Sequence, residues 1–293
     1  MADDVSDKTG DGRSGESAAE AHEAATDDGG EKEAQKGYET ILAQEIETGV
    51  TELERSSRGL FLSGLSAGLE VSFSLLLMAV MTTLAEGRLP EPVVELLVAN
   101  MYAVGFIFVV LGRSELFTEH TTLAVLPVLD GRASVRQLAR LWGIVYVSNL
   151  TGAGAFAGIA VLVGPALGIA EPEAFGKIAH AVTDHPPWVM VASAMLAGWL
   201  MGLMSWLVIA SRDTVGQILL VLLVTFSIGF LHLTHVVVGT TEVLAGMFAG
   251  QGISLPDFGR FLVFTTFGNA LGAFIFVALI KYGHAKHAGQ HSS

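Results

Sequence analysis

The run 214–250 is 37 residues long and mostly apolar, whereas a single helical crossing of a bilayer takes about 20. It must bend, break or re-enter. Where its centre should lie stand His232, Thr234, His235, Gly239, Thr240, Thr241 and Glu242. Ionisable groups at that depth are costly, so by default they mark a functional site. A broken membrane helix with two imidazoles at the break is predicted to form the centre of a transport path.

The rest of the chain has the same character. Half of the 293 residues are hydrophobic, in several runs of a length that water-soluble domains do not carry. Six hydrophobic units follow one another: 61–84, 93–112, 141–164, 188–210, the run 214–250, and 258–280. The second unit continues through the polar stretch 113–122 into a short apolar piece, 123–129, that cannot cross alone. The second and fifth units are therefore both predicted to be interrupted. They hold matching places in two halves of three units each, and Asn149-Leu-Thr-Gly-Ala-Gly-Ala-Phe156 precedes Asn269-Ala-Leu-Gly-Ala-Phe-Ile-Phe276 by 120 residues. A repeat of three spans is inverted, and broken helices at matching positions point to a central pathway. Small residues such as Gly64, Gly68, Gly152, Gly198 and Gly272 suit close helix packing. The expected fold is an all-α membrane protein, a six-helix bundle over residues 59–282. Eight Lys and Arg near span ends on one side (Arg55 to Lys286) face three on the other (Arg88, Lys177, Arg260), which orients both termini to the cytoplasm of a plasma-membrane protein.

Of the formal charge of −13, residues 1–54 supply −12, from 16 acids and 4 bases. Residues 1–37 are too charged and too poor in large apolar side chains to offset their chain entropy, so a disordered acidic tail is expected. Nucleic acid is disfavoured as a partner. Over 38–58, Leu42, Ile46, Val50 and Leu53 recur at helical spacing between acids, which predicts an amphipathic helix. Its acidic polar face suits docking on protein better than on lipid headgroups. Residues 283–293 read as a short solvated tail. With no cysteine, thiolate chemistry and Cys-ligated metal are excluded.

Four motifs, in order, resemble the formate/nitrite transporter family: Gly112 to Thr118 with its Leu-Phe-Thr, Tyr146-Val-Ser-Asn-Leu-Thr-Gly-Ala153, Gly229-Phe-Leu-His232, and Phe267-Gly-Asn-Ala-Leu-Gly-Ala273. The resemblance covers roughly 40–282 and implies an aquaporin-like protomer, a homopentamer, and a pore for small monovalent anions in each protomer. By position, His232 takes the place of the central pore histidine, and Thr118 that of the threonine that hydrogen-bonds near it. The glutamate usual before that histidine falls on Leu231 and the asparagine four residues after it on Val236. His235 finds no counterpart. The external Lys and His at the pore mouth fall on Val182 and His185, with Lys177 as a substitute base, and the fourth-helix asparagine falls on Gly198.

Physically, taking a small anion out of water costs several kcal/mol. A helix N-terminus returns about 2 kcal/mol at most. A weak-acid anion has another route: take a proton, cross as the neutral acid and release it beyond. Histidine titrates nearest physiological pH, which makes His232 the expected proton donor. Thr118 and Thr234 would orient it, and Phe106 and Phe226 would form dry gates; Lys177 and His185 sit at the mouth. A histidine that merely satisfies a freed carbonyl remains the alternative for His235. Two other readings stay open for the whole chain: a neutral-solute pore of aquaglyceroporin type, and a membrane scaffold recruiting a partner through its acidic tail. Neither cofactor motif nor nucleophile-base arrangement stands out, so no cofactor, no metal and no enzymatic activity are expected.

Overall fold

The computed structural model describes residues 36–276, the side chain of His120 apart. Nearly all of the expected acidic tail and the whole of 283–293 lie outside the described residues. Among the described residues every regular element is helical. Helix α1 (Tyr38–Glu54) precedes a first span made of α2 (Ser57–Val71) and α3 (Phe73–Ala85). Then come α4 (Glu91–Gly112), the short α5 (Phe117–Leu123) and α6 (Val125–Leu129), and α7 (Val135–Ala166). The second half holds α8 (Pro172–Thr183), α9 (Pro187–Ala210), α10 (Thr214–Phe230), α11 (Val236–Phe248) and α12 (Leu255–Phe274). Among the described residues four helices are long and apolar enough to cross a membrane, namely the first span, α4, α7 and α9, while α10 and α11 are shorter apolar pieces.

The two halves repeat each other in detail. Span one packs on α7 and α9 packs on α12, each across glycines that admit no side chain. A Cβ on Gly68 would lie 2.3 Å from the carbonyl oxygen of Asn149, and one on Gly198 would lie 2.1 Å from that of Asn269. Likewise Gly152 abuts the Leu65 carbonyl and Gly272 the Met195 carbonyl. Backbones that close leave no room for anything larger than glycine. Tyr146 Oη and Thr266 Oγ1 are 2.8 Å apart. Those residues are separated by the same 120 positions as the Asn149 and Asn269 motifs, so a residue here touches its own repeat mate and the pseudo-two-fold axis passes between them.

Helix α1 lies on the protein's own helices, but its buried face is rotated from the expected stripe. Ile41, Glu45, Ile46, Gly49 and Leu53 are buried, with Leu42 and Val50 at the edge. Gly49 explains the rotation, because a Cβ there would sit 2.3 Å from the Leu123 carbonyl oxygen. The bare backbone seats α1 on α5 and α6, and Glu45 turns inward to Ser205. Arg132 bonds Glu47, and Arg140 donates to the carbonyls of Leu53 and Arg55.

Helix α8 stands at the opposite end. Lys177 donates to Glu86 at 2.8 Å, and the Glu171 N–H donates to Thr83 Oγ1. His180 places Nδ1 3.0 Å from an Asp184 carboxylate oxygen and Nε2 3.0 Å from the Gln251 carbonyl. The Asp184 bond and then the Gln251 carbonyl hold its pKa above the usual 6.5. A raised folded value gives stability that is fully present below the unfolded pKa and is lost as pH rises through the folded one. Thermal melts of the detergent-solubilised protein against His180→Gln should therefore separate more at about pH 5 than at about pH 8. An equal gap at both would remove the imidazolium from the account.

Candidate functional site

Both interrupted spans stop in the same way. In α4, the N–H of Ser114 reaches back to the Val109 carbonyl and that of Arg113 to Val110. In α10, Leu233 reaches back to Ile228 and His232 to Gly229. These are the paired bonds of a Schellman motif, which puts one residue in the left-handed conformation. That residue is Arg113 (φ 55°) in the first half and His232 (φ 52°) in the second, and no other non-glycine residue among those described has a positive φ. Arg113 and His232 are thus repeat mates.

Past each break, an asparagine fastens the chain. Asn149 accepts from the Phe117 N–H at 2.8 Å and donates to the carbonyls of Gly64 and Glu115 at 2.7 and 2.9 Å. Asn269 accepts from the Val236 N–H at 2.8 Å and donates to the carbonyls of Ala194 and Thr234 at 2.7 and 2.9 Å. Each amide ties the first N–H of a half-helix, the carbonyl two residues before it and a neighbouring span. Backbone groups freed inside a membrane protein must be satisfied internally, and these two side chains do it.

Symmetry ends at the centre. Thr118 Oγ1, in the first turn of α5, lies 2.6 Å from His235 Nε2, at the start of α11. The other ring nitrogen, Nδ1, accepts the Val238 N–H at 3.3 Å and so caps α11. An accepting Nδ1 carries no proton, which leaves the proton on Nε2 and makes Thr118 the acceptor. The hydroxyl hydrogen of Thr118 is then free to be donated elsewhere. The repeat mates of these residues are apolar, Leu116 for His235 and Val237 for Thr118. The Phe106 and His235 rings meet in a T-shaped arrangement with centroids 5.1 Å apart, and Tyr102 packs on Phe106 at 5.3 Å. Thr118, His235 and Phe106 are each at most 1 % exposed, so the pair is dry.

Beyond Tyr102, toward the α8 end, opens a cavity of about 390 Å³ lined by Met78, Thr82, Glu86, Glu95, Lys177, His232 and Glu242 among others. The structure thus brings Thr118, His235 and Phe106 together and places His232 and Lys177 in the cavity instead. The expected partnership of His232 with Thr118 is corrected: His232 serves the left-handed turn and is exposed, while His235, three residues on, reaches the threonine. Thr234 does not orient an imidazole; its N–H and hydroxyl bond Ser193 Oγ at 3.0 and 3.4 Å. Phe226 stacks on Phe230 at 5.5 Å rather than on Phe106. His185 sits half-buried in the α8–α9 connection, outside the cavity lining. Glu115 pairs with Arg55 at the end of α1. Ser193 and the two stapling asparagines carry work that hydropathy does not announce. The asparagine repeat was the available signal.

Residues 39–283 match the family described as Formate/nitrite transporter. The chain belongs to this family. The Inner membrane protein YfdC of Escherichia coli (strain K12) is 35 % identical over 243 residues, 82 % of this chain and 76 % of that protein. The Probable formate transporter of Methanothermobacter thermautotrophicus is 32 % identical over 232 residues, 74 % of this chain and 85 % of that protein. Among solved structures, a Pentameric formate channel with formate bound superposes with a TM-score of 0.69 at 21 % identity, covering 78 % of this chain and 98 % of that one. This member of the formate/nitrite transporter family is accordingly a multi-pass membrane protein with the fold of those channels. With the histidine taken as His235 rather than His232, the residue before it is Thr234 and the fourth after it is Gly239.

Proposed function

We propose that the protein is a channel or transporter for small monovalent weak-acid anions of the formate and nitrite kind, working as a homopentamer with a path through each protomer. The observation that carries this reading is the dry Thr118–His235 pair where the two broken helices meet, reached from an open cavity across Tyr102 and Phe106. The names of a relative, a probable formate transporter, and of a structural neighbour, a pentameric formate channel with formate bound, support the substrate class and the assembly. The charge asymmetry of the span ends supports cytoplasmic termini, which puts α8 and its cavity on the outer face.

At the half-helix ends the N–H groups of Phe117, Val236 and Val238 are already bonded to Asn149, Asn269 and His235. A helix N-terminus returns at most about 2 kcal/mol against a desolvation cost of several for a bare anion, which supports passage with a proton. In this scheme the neutral His235 fixes the Thr118 hydroxyl as acceptor toward the ring, and the free hydroxyl hydrogen meets the permeant. Phe106 keeps water from that contact.

The test is uptake into proteoliposomes of formate, nitrite, acetate, lactate, hydrosulfide and glycerol at two external pH values. Uptake of at least one weak acid, faster at the lower pH, and none of glycerol is expected. Glycerol flux alone would favour the neutral-solute pore. If no acid moves through a demonstrably folded pentamer, the transport reading fails, and recruitment through the acidic tail becomes the reading to pursue.

A further inference from the structure

His235 has no vacant nitrogen, since one accepts the Val238 N–H and the other holds Thr118. Handing a proton to a permeant would break the arrangement that defines the centre. The structure offers another acid on the cavity side of the dry ring. Glu242 stands seven residues beyond His235 on α11, about 10 Å along the helix axis. It is 4 % exposed, lines the cavity, and has no cationic partner among the described residues. Tyr102, also 4 % exposed, lines the same cavity with a buried hydroxyl that no group among the described residues bonds. Its ring rests on Phe106. Together they mark the last polar ground before the constriction.

We propose that Glu242 is the proton-exchange residue of this transporter, delivering a proton to the incoming weak-acid anion at the inner end of the cavity, with Tyr102 Oη aligning the anion. The step balances: the O–H bond of the Glu242 carboxyl breaks, an O–H bond forms on the substrate, and the neutral acid moves on past Phe106. The Glu242 carboxylate then regains a proton from cavity water. The other ionisable groups facing it are consistent with such a role. On α4 they are Glu91 and Glu95, and after α3 comes Glu86, whose charge Lys177 of α8 neutralises. From the α10–α11 break comes His232. Helices α2, α7 and α12 also pack on α11 and bring no titratable group to the cavity lining. The wall thus holds more carboxylates than cations and concentrates protons. Solution salt screens the mouth within about 8 Å, so anions are not barred from it.

This inference rests on the transport reading above, and the experiment separates the two. In proteoliposomes carrying a pH-sensitive dye, Glu242→Gln is expected to cut weak-acid uptake about tenfold at near-neutral external pH. Proton co-uptake should fall with it, while the rate at acidic pH, where neutral acid is already supplied, stays within about twofold. Glu242→Asp should retain coupling. Tyr102→Phe loses no protein hydrogen bond, should fold, and is expected to show the same pH-selective loss at about threefold. A Gln variant equal to wild type, or one depressed alike at both pH values, overturns the proposal. Should the Gln variant not fold, an unchanged Tyr102→Phe does so. A wild type that moves no weak acid removes the transport reading itself.

Discussion

Asn269→Ala and Asn149→Ala are each expected to abolish recovery of a monodisperse, folded protein from detergent, or to lower its melting temperature more than any other single polar substitution. Each removes three buried hydrogen bonds at once, to the Val236 N–H, the Ala194 carbonyl and the Thr234 carbonyl in one case, and to the Phe117 N–H, the Gly64 carbonyl and the Glu115 carbonyl in the other. Buried backbone groups left unsatisfied cost about 1–3 kcal/mol each. Side-chain bonds between membrane helices average only about 0.6 kcal/mol, because the unfolded reference also finds partners in the bilayer. The breaks weigh toward the higher figure, since a freed N–H at a half-helix start has no helical carbonyl to fall back on. Tyr146→Phe is the control. It removes one bond, to Thr266, across the same pseudo-axis, and should cost under about 1 kcal/mol. Equal melting of the alanine variants and Tyr146→Phe would mean that the breaks are held by packing alone.

The same asparagines show what the chain discloses in advance. Apolar run length and the duplicated asparagine motif are enough for two halves, two interruptions and their inverted relation, because each depends on a long-range regularity of hydropathy or spacing. Helix α1 is legible as amphipathic, yet its seating is not. The buried face follows Gly49, whose contact with the Leu123 carbonyl exists only after α5 has been placed. Helix α8 escapes a search for spans because it crosses nothing. At the centre, a local string holding two histidines three residues apart contains no term that chooses between them. The choice is made by the turn that ends α10, where the left-handed position falls on His232 and sends His235 inward, and by Asn269 and Ser193, which hold Val236 and Thr234 from other helices. Similarity to a family motif by position, without those contacts, selects the nearer histidine.

The two histidines are accordingly expected to part in experiment. His235→Ala removes the donor that fixes the Thr118 hydroxyl, uncaps α11 and leaves space beside Phe106. A buried polar group left without its hydrogen bond costs about 1–3 kcal/mol. A neutral acid that finds no ordered Thr118 hydroxyl at the slowest point of its path should therefore cross about 10- to 100-fold more slowly. Thr118→Val, which keeps the shape and removes the hydroxyl, should match that loss. His232→Ala should leave uptake within about threefold, since the ring lies in the open cavity and touches neither Thr118 nor Phe106. Its larger effect is on the backbone. At φ 52° a side chain costs about 1–2 kcal/mol relative to glycine, so His232→Gly should keep transport and melt at or above the wild-type temperature. Matched uptake rates for His235→Ala and wild type, with a collapse in His232→Ala, would return the central role to His232 and show that the turn at α10 rearranges in the transporting protein.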